Sequence, residues 1–130
     1  MPFDAMPERN NDGELLYKAK TELVRRGWVK GQYTDAGRIC SVVALAFACD
    51  NRRFRRPTRL QRQLAGHLVR ELPNQGGIIL RWCTTAYFRV MLYNDSSSTR
   101  YDDVVRMYDR AILRQDEESV TGWASVAGSV

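Results

Sequence analysis

The chain has 130 residues, a formal net charge of +5, 44% hydrophobic and 27% charged residues. That length fits one domain with enough buried surface for a core that needs neither disulfides nor metals. Inside an apolar block the longest charge-free run is Ile39–Cys49, 11 residues, against the roughly 20 that a spanning helix needs. The opening MPFDAMPERNNDGE carries acids and prolines where a secretory signal carries an apolar run. The expectation is a cytoplasmic protein without membrane contact.

Taken in order, residues 1–10 are polar, with Pro2 and Pro7, and read as a flexible arm. Asn11 and Glu14 have the spacing of a capping box opening a helix to about Arg26, with Leu15, Leu16, Ala19 and Leu23 on one stripe. Gly27 is placed to end it in a left-handed conformation, and Trp28 follows as an apolar anchor. Val29–Arg38, with Gly31, Asp35 and Gly37, reads as a loop or short hairpin. Ile39–Cys49 is apolar on all sides; its alanines favour a buried central helix, with a buried strand as the alternative.

Asp50–Arg70, DNRRFRRPTRLQRQLAGHLVR, holds seven arginines (Arg52, Arg53, Arg55, Arg56, Arg59, Arg62, Arg70) against the single acid Asp50. The rest of the chain is therefore close to neutral. Arginine outnumbers lysine 17 to 3 throughout, which GC-rich codon usage explains as readily as a need for planar donors. Codon usage does not explain the clustering. Asp50–Arg56 reads as an adaptable loop because Pro57 disfavours helix before it. A helix then runs from Pro57 or Thr58 to Leu72, where Pro73 stops it. Leu60, Leu64, Ala65, Leu68, Val69 and Leu72 share one half, and Arg59, Arg62, Gln63, Gly66 and Arg70 the other.

After the turn PNQGG, Ile78–Tyr93 has a strand-like alternation through Ile78, Leu80, Trp82, Ala86, Phe88, Val90 and Leu92. Sixteen residues without a partner strand favour a largely buried helix. Asn94–Ser98 reads as a turn. Thr99 is expected to cap the last helix, helped by Asp102, with Tyr101, Val104, Val105, Tyr108, Ala111 and Ile112 as its apolar stripe and an Asp102–Arg106 pair outside. Residues 116–130 read as a flexible tail. The fold expected is all-α: a compact bundle of four to five helices in a single domain.

Chemistry-bearing patterns are sparse. Cys40, Cys49 and Cys83 form no CxxC and His67 is the single histidine, so no metal set is expected. On a helix, Cys40 and Cys49 would lie on opposite faces about 13 Å apart, beyond disulfide reach, so buried reduced thiols are expected. No phosphate-cradling glycine pattern occurs. His67, at the edge of a polar face with no nucleophile at motif spacing, reads as a partly exposed structural residue.

Several phrases align with a known pattern: Arg26-Gly27-Trp28 with Gly31; Cys40 with Ala44-Leu45; Asn94-Asp95 followed by Thr99-Arg100, Asp103-Val104 and Asp109-Arg110-Ala111-Ile112. Over most of residues 12–114 the chain resembles an uncharacterised domain-of-unknown-function family of short actinobacterial and phage proteins. It departs from the pattern at Tyr93, where the family has Trp, and at Val43, where it has Gly. The resemblance implies a helical fold and brings no activity with it.

The functional expectation is a non-enzymatic interaction protein without catalytic residues, metal or cofactor. Its seven clustered arginines would meet an acidic protein surface. The alternative is nucleic acid, for which neutralisation through all seven predicts a log–log salt slope on the order of −6. A third reading is an enzyme built around a polar site of Trp28, Asn94, Asp95 and Arg100. Oligomeric state is not readable from the sequence.

Overall fold

The computed structural model describes residues 11–53, 56–73 and 85–128, with 119–128 defined by backbone alone. Among these residues it is an all-α bundle of five helices with one short hairpin. The expected arm 1–10, Phe54, Arg55, the PNQGG turn after Pro73, and Ile78–Thr84 with Trp82 and Cys83 lie outside the described residues.

Helix α1 (Asn11–Arg26) buries Leu16, Ala19 and Leu23 completely, as their spacing predicts. Asp12 and Glu14 in the first turn and Arg25 and Arg26 in the last complement the helix dipole. Asn11 is already helical, so it does not act as the expected cap. Gly27 ends the helix at φ +92°, its N–H bonded to the Leu23 carbonyl at 2.9 Å. A side chain there would also press on Arg38 Cγ at 3.1 Å. The connection that follows is a minimal antiparallel hairpin, β1 (Thr34–Asp35) and β2 (Arg38–Ile39), turning through Ala36 and Gly37 at positive φ.

Helix α2 (Ser41–Ala48) is the centre of the core: Val42, Val43, Ala44, Leu45 and Ala46 are all at 0% exposure. Burying each Val or Leu there contributes roughly 1.5–3 kcal/mol. Its surface has no polar stripe because it has no solvent face. Val43, the departure from the glycine pattern, is fully accommodated. Helix α1 packs against α2 on one side and the last helix on the other.

Helix α3 (Arg59–Val69) opens on a full capping box: Thr58 Oγ1 accepts from the Gln61 N–H at 3.2 Å and Gln61 Oε1 from the Thr58 N–H at 3.1 Å. Gln61, not Leu60, turns inward to reach that bond, leaving Leu60 at 37% exposure. The helix also stops at Val69 rather than Leu72, because Pro73 disfavours helix before it and the chain tightens into i→i+3 bonds, Glu71 N–H to Leu68 and Leu72 N–H to Val69.

Helix α4 (Ala86–Asp95) is capped by Thr85, whose hydroxyl accepts from the Phe88 N–H at 3.2 Å. It carries the chain through Asn94 and Asp95, where a turn is expected from the residue types. Helix α5 (Tyr101–Gly128) buries Val104, Met107, Tyr108, Ala111 and Ile112. Thr99 is not its cap: it is 3% exposed, and its hydroxyl has no partner among the described residues. Asp103, not Asp102, reaches back to the Arg100 N–H at 2.9 Å, being three residues on. Asp103 is also the acid nearest Arg106, at 3.8 Å.

Helix α5 continues through the segment expected to be a flexible tail. Arg114 binds Glu71 at 2.5 Å, Arg70 binds Glu118 at 3.0 Å, and the Gln115 amide nitrogen meets His67 Nδ1 at 3.1 Å. These contacts with the end of α3 carry the helix past Arg114, and no proline follows to stop it. The Gln115 contact puts the His67 proton on Nε2, which faces Asp12 Oδ2 at 2.8 Å. His67 therefore joins α1, α3 and α5.

Candidate functional site

The two groups of residues singled out in the sequence fare differently. The first is the basic window. Asn51 organises its loop: Nδ2 donates to the Arg56 carbonyl at 3.0 Å and to Gln61 Oε1 at 2.6 Å, while Oδ1 accepts from the Arg53 N–H at 3.0 Å. Gln61 is fully buried and bonded on the same oxygen to Thr58, so the loop is clasped to the first turn of α3. The described ends of the loop, Asn51–Arg53 and Arg56, are thus held by hydrogen bonds, where a freely adapting segment is expected. Thr58-x-x-Gln61 was legible as a capping box; the role of Asn51 was not.

Arg52, Arg53, Arg56, Arg59 and Arg62 are all exposed on that clasp. Among the described residues, no carboxylate pairs with any of their guanidinium groups. Arg55 lies outside the described residues. Arg70 belongs elsewhere, at the far end of α3 and engaged by Glu118. The first turn of α3 has no acid and carries Arg59 instead. A cation there opposes the helix dipole, at a cost of about 0.3–1 kcal/mol for an exposed group. Helix stability does not account for the placement of these arginines.

The second group is the polar set around Asn94. Asn94 is at 0% exposure. Its Oδ1 accepts from Trp28 Nε1 at 2.7 Å, the Ser41 N–H at 3.0 Å and the Ser41 hydroxyl at 2.5 Å. Its Nδ2 donates to the Val29 carbonyl at 3.1 Å and Asp95 Oδ1 at 2.9 Å. Asp95 Oδ1 also accepts from the Gly31 N–H at 2.8 Å. Cys40, at the capping position before α2, supplies no side-chain cap, so Asn94 caps the helix from another helix. Tyr108 completes the arrangement by donating its hydroxyl to the Ser41 carbonyl at 2.7 Å.

Trp28, Asn94 and Asp95 are thus brought together, and Arg100 is not: it is exposed and makes no pair with Asp95. The hydrogen-bonding capacity of Asn94 is spent inside the protein, which makes this a brace joining α2, α4 and the hairpin. The adjoining cavity, lined by Tyr33, Cys40, Met91 and Asp95 among others, holds about 90 Å³, below the usual size of ligand sites. Burial pushes the Cys40 thiol above its ordinary range, opposite to what a nucleophile needs. Cys40 and Cys49 are both free thiols.

Among the described residues, no three His, Cys, Asp or Glu side chains are grouped to hold a metal, and no helix is long and apolar enough to cross a membrane. No curated protein and no solved structure matches the chain. A family model does, over residues 7–114: the family of unknown function DUF6197. With most of its length matched, the chain belongs to that family.

Proposed function

We propose that the protein is a non-enzymatic interaction module that docks an acidic protein surface on the clasped loop and first turn of α3. The observation that carries this reading is the set of five exposed arginines, Arg52, Arg53, Arg56, Arg59 and Arg62, unpaired among the described residues and set on a held backbone. Guanidinium forks suit carboxylates, and a loop already fixed by Asn51 and Gln61 loses less entropy on docking. Leu60, exposed among the arginines, favours a protein over a phosphate backbone, which offers nothing apolar to meet it. The resemblance to actinobacterial and phage proteins points to a partner in the cytoplasm of such a host.

The test compares the wild-type chain with an Arg56→Glu/Arg59→Glu/Arg62→Glu variant in pull-downs from that host. An acidic protein retained by the first and lost from the second, and released by salt, is the expected result. Identical retention by both refutes the reading. Binding of duplex DNA instead, with a log–log salt slope near −4 to −5 for five arginines, would establish the nucleic-acid alternative.

A further inference from the structure

At the other end of α3 from the arginine face, a cleft of about 340 Å³ lies between the α3 terminus, α4 and the first turns of α5. We propose that it binds a small amphiphilic anion: a carboxylate or phosphate carried on a compact apolar body. Its carboxylates are already committed. Glu71, with its side chain only 8% exposed, gives both oxygens to Arg114, at 2.5 and 3.4 Å. Asp103 accepts the Arg100 N–H at 2.9 Å and faces Arg106 at 3.8 Å.

What remains in the cleft is an excess of donors. Arg106 and Arg110 stand one turn apart on the same face of α5. Among the described residues Arg110 has no ion-pair partner, and the Tyr93 hydroxyl has no hydrogen-bond partner. Burial raises the Tyr93 hydroxyl and Asp103 adds to the shift, while Arg106 and Arg110 oppose it, as expected of groups sharing one space. Leu72, Pro73 and Met107 supply an apolar wall beside these donors. Unspent guanidinium and hydroxyl donors select an anion; the wall selects an apolar body; the volume, at the low end for ligand sites, limits that body to about one ring.

The site is independent of the arginine face, so either can fail alone. The test is an NMR titration of the full chain with benzoate and with phenyl phosphate, against neutral benzamide and inorganic phosphate. Saturable shifts at the Met107 methyl and the Arg106 and Arg110 side chains are expected with at least one aromatic anion, and the two arms distinguish carboxylate from phosphate. Benzamide and inorganic phosphate should bind at least about tenfold more weakly. Arg110→Gln, at an exposed position, should weaken binding by a similar factor, Tyr93→Phe by less, and Arg59→Gln not at all. Equal response to benzamide, shifts confined to Arg52–Arg62, or affinity unchanged in both Arg110→Gln and Tyr93→Phe would overturn the proposal.

Discussion

The Asn94 side chain makes five hydrogen bonds, to Trp28, Ser41, Val29 and Asp95. Removing it strands the buried Ser41 N–H and Val29 carbonyl and the half-buried Trp28 indole N–H. At about 1–3 kcal/mol per buried orphan, Asn94→Ala should lower stability by at least about 3 kcal/mol in urea denaturation, whereas exposed Arg100→Ala should change it by less than about 0.5 kcal/mol. Asn94→Asp should also destabilise, because it replaces the donor facing Val29 and Asp95 with an acceptor. Buried acids set the pH response. Burial raises the Cys40 thiol from its ordinary 9.0 and the Tyr108 hydroxyl well above its ordinary 10.0. Both groups stay protonated in the fold at pH values where the unfolded chain ionises. Their contribution is complete below the ordinary values and falls as pH rises. The urea midpoint should hold steady towards pH 9 and then decline, and Tyr108→Phe should flatten the part of the decline above about pH 10.

At the scale of elements, local chemistry explains most boundaries. Thr58→Ala removes one half of the α3 capping box and should cost about 1 kcal/mol. Arg59→Glu should do the reverse, raising stability by about 0.3–1 kcal/mol because an acid replaces a cation in the first turn. If Arg59 serves docking, the same substitution should weaken partner binding while the thermal midpoint rises; a lowered midpoint would contradict the dipole argument. The end of α1 is as local: Gly27→Ala forces a side chain into φ +92° and against Arg38, so it should destabilise by about 1–2 kcal/mol.

Across the whole molecule, His67 joins α1, α3 and α5 through Asp12 and Gln115. His67→Ala should cost about 1–2 kcal/mol. Amide exchange should quicken together near Asp12, in α3 and around Gln115. Faster exchange confined to α3 would show that the histidine does not couple the helices. The two candidate sites lie at opposite ends of α3, the arginine clasp at its start and the anion cleft, shared with α4 and α5, at its finish.

Periodicity and punctuation in the sequence already pointed to the all-α class, the α1 stripe ending at Gly27, a buried element at Ile39–Cys49 and a helix opening at Pro57 or Thr58. Each depends on residues within a turn or two of one another. The seven-arginine cluster was legible as charge, but not as five groups unpaired among the described residues with Arg70 diverted to Glu118. Tertiary structure alone decided that Asn94 and Asp95 extend α4 and that α5 runs on to Gly128. Asn94 reads locally as a turn former until Trp28, 66 residues away, donates to it. Partners at that separation leave no pattern in a single sequence, because their spacing is set by packing and not by the pitch of a helix.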